Sequence, residues 1–354
     1  MQRNEALDGL RGFAALNVAI FHTILSIDES LVPRIVYGKY SDLSDAYSWA
    51  TKIILKIFSG ETAVFVFFVI SGAVLFQSLM ASKTAPFIET VTRFTIRRIF
   101  RIYPALIVCL LFIAVLAAVT GKAVNLTDLA TNAVLYAFPI NSVTWTLNVE
   151  MVAVVFILLA FFGWRSAGVA GLLGAAIAIW IFFRIPELPI AVLFKDFWGY
   201  FVFGMLIPTP AGNWVGSRLP IWSCLASLVV AIAFKGTIQT IAIALLVTSI
   251  YYGRSGAIGE FLMLPISQFL GRISYSFYLY NYIALVYLGQ ILQNDTWFKL
   301  RPIEAGLLAS VFTVSLTVPA AYASMRWVEL PAIRLGRLLT SWPGFTSRRV
   351  PNGA

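Results

Sequence analysis

The sequence predicts an all-α fold, a polytopic transmembrane bundle of about ten helices with both termini cytoplasmic. Three features predict it: an excess of apolar side chain, its division into runs of membrane-spanning length, and an uneven spread of Lys and Arg between the loops. Of the 354 residues, 60% are hydrophobic and only 12% charged, against roughly 25% charged in ordinary soluble domains. So little polar side chain cannot cover the surface of a soluble fold, and the excess must face lipid.

A membrane span needs about 20 predominantly apolar residues. Ten stretches qualify, near 10–27, 57–80, 103–120, 143–163, 167–183, 191–208, 217–234, 237–252, 274–292 and 304–325. Segment 124–140 is apolar in places, but Asn125, Asp128 and Asn132 interrupt it, and the count is open by one there. Short turns carrying Gly and Pro, such as Pro208-Thr209-Pro210, join the middle helices. The first run carries Glu5, Asp8 and Arg11 at its start and no small-residue cleavage site after Ile27. It reads as a retained helix and not as a signal peptide.

Orientation follows from Lys and Arg, because acidic residues contribute little to topology. With the N-terminus in the cytoplasm, sixteen of the 26 basic residues fall on the cytoplasmic side. The net charge of +10 is then mostly positive-inside charge, and no nucleic acid is needed to explain it. The two cysteines, Cys109 and Cys224, lie inside apolar runs without metal-ligand spacing. They read as core residues, and neither a metal nor a tightly bound cofactor is expected. Segments 28–56, 81–102 and the tail after Ser324 are each about 30 residues or fewer, below the size of a self-supporting core. One membrane domain over 1–340 is therefore expected, followed by a tail, 341–354, whose Pro, Gly, Ser and Arg content points to disorder.

His22 is the single histidine of the chain and sits in the first apolar run. Ionisable residues are costly inside a membrane and mark functional positions by default, and His is the side chain whose ordinary pKa lies near neutrality. Residues 11 and 22 are about three helical turns apart and share a face, with Asp8 within about 40° of the same line. Asp8, Arg11 and His22 thus form one polar stripe. His22 lies roughly 16 Å beyond Arg11, deep in an apolar layer about 30 Å thick. Such a stripe must face protein or a water-filled cavity.

Three further stretches carry chemistry. In the run Thr92 to Pro104, a helix would place Arg93, Arg97 and Arg101 on one face, with Arg98 three positions before Arg101. All four are Arg and none is Lys. Guanidinium forks match phosphate oxygens bidentately, whereas topology needs only charge; a cytoplasmic nucleotide-like donor suits them. Glu150 follows Val143-Thr144-Trp145-Thr146-Leu147-Asn148-Val149 at the edge of a span. It serves either as the partner of a neighbouring helix's Arg or in the chemistry directly. Ser274, Tyr275, Tyr278 and Asn281 recur on one helix and are candidates to line a sugar site.

Taken in order, Leu7-Asp8-Gly9-Leu10-Arg11-Gly12 with Phe21-His22, Phe67-Phe68-Val69-Ile70-Ser71-Gly72 and Arg326-Trp327-Val328-Glu329-Leu330-Pro331 resemble the acyltransferase-3 family of bacterial inner-membrane proteins. The resemblance implies a ten-helix enzyme that uses acyl-CoA, usually acetyl-CoA, to modify surface polysaccharide, lipopolysaccharide or peptidoglycan. It matches His22 to the family's catalytic histidine, Arg98 and Arg101 to its Arg-x-x-Arg motif, and Arg11 and Glu150 to further functional positions. Asn281 stands where the family commonly has His, and Phe65 where it often has Asp.

Residues and resemblance together give an expected mechanism. Arg98 and Arg101 hold the CoA phosphates with Arg93 and Arg97 beside them, and the pantetheine arm runs along the stripe. His22 then acts on the acceptor hydroxyl as a base, or carries the acyl group itself. The expected partners are acyl-CoA, a carbohydrate or lipid-linked glycan and membrane lipid; a homo-oligomer is left open. The alternative is a polytopic transporter or flippase for a surface-glycan precursor. Against it, no paired Gly/Pro-broken helices recur in the two halves.

Overall fold

The computed structural model describes residues 4–184, 194–292 and 301–341. These form helices and, among the described residues, no strand. The helices are α1 (Glu5–Ile27), α2 (Ala46–Ile57), α3 (Gly60–Met80), α4 (Phe87–Val119), α5 (Leu126–Ala133), α6 (Trp145–Phe182), α7 (Trp198–Leu206), α8 (Pro210–Gly216), α9 (Ser223–Ala233), α10 (Thr237–Tyr251), α11 (Gly256–Met263), α12 (Pro265–Leu292), α13 (Pro302–Ser324) and α14 (Leu330–Ser341). A π-helical turn, Met325–Glu329, links α13 to α14.

Among the described residues, five stretches are long and apolar enough to cross a membrane: Glu5–Ile27, Ala46–Met80, Phe87–Val119, Ser142–Phe182 and Pro302–Ser341. Helices α10 and α11, bent by 68° from each other, pass only together, as a broken span or a re-entrant loop. Apolar side chains face outward along these helices: Leu111, Phe112 and Val115 on α4, and Leu308, Val311, Phe312 and Leu316 on α13, are all exposed. Their spacing of three and four residues makes each set one stripe, the face a lipid would cover.

Several boundaries differ from the sequence expectation. The segment 81–102, expected to lie outside the spans, is largely continuous with one, because α4 starts at Phe87 and carries the arginine run unbroken into it. The region after Ser324, also expected to lie outside the spans, is helical as far as Ser341. The stretches 143–163 and 167–183 both lie in α6, which breaks at Ala167 and at Gly168, where φ is +58°. Gly163 lies so close to Gly171 that a Cβ there would meet the Gly171 carbonyl oxygen at 2.5 Å. The Phe156 and Phe183 rings meet at 5.0 Å, so the limbs 145–166 and 169–182 fold back on each other as a hairpin. Stretches 217–234 and 237–252 yield only 11 and 15 helical residues, the break between them falling at Gly236 with φ +68°. The expected span 191–208 starts outside the described residues, as does all but the first residue of the expected tail 341–354.

The chain divides into two compact units. The first comprises Met1–Ile70, Asn141–Val143 and Gly212–Ala323, with α1 packed on α12 at its centre. Glycines make that approach possible, as they do between helices in lipid, where close van der Waals packing replaces the hydrophobic drive. A Cβ on Gly12 would meet the Gly271 nitrogen at 2.6 Å, and one on Gly271 would meet the Gly9 nitrogen at 3.2 Å. Gln268 Nε2 donates to the Glu5 carbonyl at 2.6 Å near the start of both helices, and Leu288 packs on the cluster that holds Ile27 near the end of both. The two helices therefore run parallel. The second unit comprises Ser71–Ile140, Thr144–Ala211 and Ser324–Ala354. In it α4 lies against α14, with Gly336 tight on the Phe100 side chain, beside the α6 hairpin.

Candidate active site

In the first unit, α1 begins at a side-chain cap, where Asn4 Oδ1 accepts from the Leu7 backbone N–H at 3.2 Å. Asn4 Nδ2 donates to the Tyr251 carbonyl at 3.1 Å and ties this end to α10. The helix is unbroken to Ile27, so Asp8, Arg11 and His22 hold the common face that their spacing predicts. All three are half-buried. The His22 ring makes an edge contact with Phe21 at 5.5 Å. Among the described residues neither His22 nor Arg11 has a hydrogen bond or ion pair. An imidazole without a partner keeps a ring nitrogen available to take a proton, the first requirement of a general base.

The α1–α12 register bears on the serine–tyrosine helix. The Glu5–Gln268 and Gly12–Gly271 contacts set an offset that brings Asn281 within about a turn of the level of His22. Ser274, Tyr278 and Asn281 are all buried, and Tyr275 is partly so. Ser274 Oγ donates to the Gly271 carbonyl at 2.9 Å. Tyr278 Oη donates to the Val143 carbonyl at 3.1 Å, which pins the 141–143 segment together with the bond from Asn141 Nδ2 to the Leu279 carbonyl at 3.1 Å. Those two hydroxyls thus serve the backbone. Asn281 differs: its Oδ1 is buried with no hydrogen-bond partner, an open acceptor on a residue only 2% exposed.

In the second unit the four arginines project from one helix. Arg93 pairs with Glu89 at 2.7 Å, one turn before it. Arg98 Nη2 pairs with Glu150 Oε2 at 2.7 Å, and Ser71 Oγ donates to the other carboxylate oxygen at 2.8 Å. Arg101 forms a tight ion pair with Glu329, itself 2% exposed. Arg97 is the most open of the four, and its Nε donates to Thr340 Oγ1 at 3.0 Å. Arg337 of α14 also lies close enough to repel Arg97, so the cationic groups here outnumber the carboxylates of Glu89, Glu150 and Glu329 that pair with them. The Nε–H groups of Arg93 and Arg98 are buried and unpartnered, so the cluster keeps charge-assisted donors beyond its internal pairs.

Of the two roles the sequence left open for Glu150, the geometry realises the pairing with Arg98. Three partners escaped the sequence reading. Glu89 stands four before Arg93, a recognisable helical pair. Glu329 lies inside the Arg326–Pro331 motif, where a carboxylate among apolar residues is itself a signal. Ser71 lies inside the Phe67–Gly72 motif but carries no charge, so nothing there marks it as a carboxylate partner. Gly9 and Gly12 of the first motif serve the helix contact described above, so that motif joins packing and polar residues in six positions.

No curated protein and no solved structure matches the chain significantly. Residues 4–326 match the profile of one family, described as an acyltransferase domain. That match spans the α1 stripe, the α4 arginines, Glu150 and the serine–tyrosine helix, and the chain belongs to the acyltransferase-3 family of membrane acyltransferases.

Proposed function

We propose that this acyltransferase moves an acyl group, in the first instance acetyl, from cytoplasmic acyl-CoA to a hydroxyl of an extracytoplasmic or lipid-linked carbohydrate. In this reading it resides in a bacterial inner membrane, with about ten spans and both termini cytoplasmic. The observation that carries the proposal is the state of His22: one histidine in the chain, on a membrane helix, half-buried and without a hydrogen-bond partner among the described residues.

His22 takes the proton of the acceptor hydroxyl as its oxygen attacks the thioester carbonyl. The new C–O bond forms, the C–S bond breaks, and the thiolate of CoA leaves and is protonated. Transfer through an acyl-histidine reaches the same products in two steps. Arg11 lies on the face of His22 and, among the described residues, has no carboxylate of its own, which suits it to an anionic group of either substrate. Arg98 and Arg101 bind the CoA phosphates with Arg93 and Arg97 beside them, using the unpartnered Nε–H groups and exchanging carboxylate for phosphate where needed. Asn281 Oδ1 accepts from the sugar.

The test separates binding from transfer. In lipid nanodiscs, His22→Ala should bind acetyl-CoA as the unaltered protein does, because the arginines belong to another helix. Transfer of labelled acetyl to a glycan should fall by roughly 10²–10⁴-fold. Full transfer by the variant would remove His22 from the mechanism.

A further inference from the structure

The segment between α1 and α3 gathers lysines around two tyrosine rings. Lys52 and Lys56, one turn apart on α2, both stand over the ring of Tyr40, at 4.6 and 4.9 Å from its centroid. Lys235, in the turn between α9 and α10, stands over Tyr37 at 5.3 Å. Lys56 Nζ donates to the Ala233 carbonyl at 2.8 Å, which brings it to the chain beside Lys235. Lys56 and Lys235 are both close enough to repel the Lys52 charge.

Carboxylates do not balance this group. Lys52 is 4% exposed, yet its hydrogen bonds go to two neutral carbonyls, those of Ile35 and Gly38. Asp42 lies near enough to attract it but is engaged with the Lys39 backbone N–H and the Ser41 hydroxyl. Glu61 pairs with Lys235 at 2.6 Å. Among the described residues Lys56 has no carboxylate partner. Three ammoniums thus converge on one strong carboxylate contact, with a buried member that is costly to hold without a counter-ion. Around them Tyr37 is 69% exposed, and Trp49 packs at 5.2 Å from Tyr40 with part of its ring open. Open aromatic rings beside cations suit a sugar ring that carries a negative charge.

We infer that Lys52, Lys56 and Lys235, with Tyr37 and Trp49, form a binding site for an acidic glycan, one bearing uronate carboxylates or phosphate substituents. The inference rests on the proposed function for the side of the membrane, where this segment is extracytoplasmic, and it names the acceptor class for that reaction. Lys52 also ties the Val32–Val36 turn to α2 through its carbonyl bonds, so Lys56 and Lys235 are the positions to test.

Binding is measured without catalysis, on the full-length protein in nanodiscs and on its His22→Ala variant. The probes are oligogalacturonate, a phosphorylated mannan oligosaccharide and a neutral maltooligosaccharide of equal length. One or both acidic probes should bind, with affinity falling as salt rises, and the neutral one should bind at least tenfold more weakly. Combined Lys56→Gln and Lys235→Gln should weaken acidic binding by roughly tenfold or more, and Lys56→Arg with Lys235→Arg should restore it. Equal binding of neutral and acidic probes, or no effect of the Gln pair, would overturn the site. Loss in both the Gln and Arg pairs would also overturn it, since charge would then not be what matters. Acidic binding in a protein that transfers no acetyl would leave this site standing and sink the proposed reaction.

Discussion

Replacing Glu150 by Gln removes one charge from the Arg98 pair while keeping the side chain's size and an oxygen for the Ser71 hydroxyl. The two charged groups are 2.7 Å apart with side-chain exposures of 15% and 16%. Removing one partner of a fully buried pair costs about 3–5 kcal/mol, because the remaining charge is left uncompensated. Here residual water reaches Arg98 and the Ser71 bond survives, so the expected loss is smaller, about 2 kcal/mol. Changing Arg98 to Gln as well removes the stranded charge. The double variant should recover about 1 kcal/mol or more relative to the sum of the single variants, the signature of coupled neighbours. Stability of all four proteins would be measured by denaturant unfolding in the same mixed micelles, alongside acyl-CoA binding. Strict additivity, or an unchanged Glu150→Gln protein, refutes the ion pair as a structural unit and returns Glu150 to the candidates for the chemistry itself.

Three further outcomes are expected. Arg98→Lys with Arg101→Lys preserves charge and insertion but loses bidentate geometry, and should weaken acyl-CoA binding by about 1.5–3 kcal/mol; unchanged affinity in a titration would show that the arginines serve topology alone. Reporter fusions after Thr51 and Thr120 should read extracytoplasmic and one after Ala81 cytoplasmic; a cytoplasmic signal at Thr51 overturns the orientation. Gly12→Ala places a methyl 2.6 Å from the Gly271 nitrogen, backbone that cannot rotate away, and should destabilise the protein by about 1–3 kcal/mol. Native stability in that variant, measured by the same unfolding assay, would mean that the α1–α12 contact is looser than described.

Much of this protein is determined by short-range sequence. The apolar runs follow from hydropathy and length alone, which is why α1, α3 and α13 lie where the chain predicts them. The polar stripe of α1 needs only helical periodicity, and the family is carried by a few ordered motifs. Other features depend on residues far apart in the chain, and only the tertiary structure decided them. Arg98 meets Glu150, and Arg101 meets Glu329, across 52 and 228 positions. Sequence can name the charges but not match them. The same holds for Gly12 against Gly271, which sets the parallel register of α1 and α12 and so the level of Asn281 relative to His22. Three lysines that look like scattered topological charge converge only because α2 meets the end of α9 and the turn after it. Local periodicity decides which face a side chain occupies; the side chain it meets there depends on how the helices pack, which no local pattern encodes.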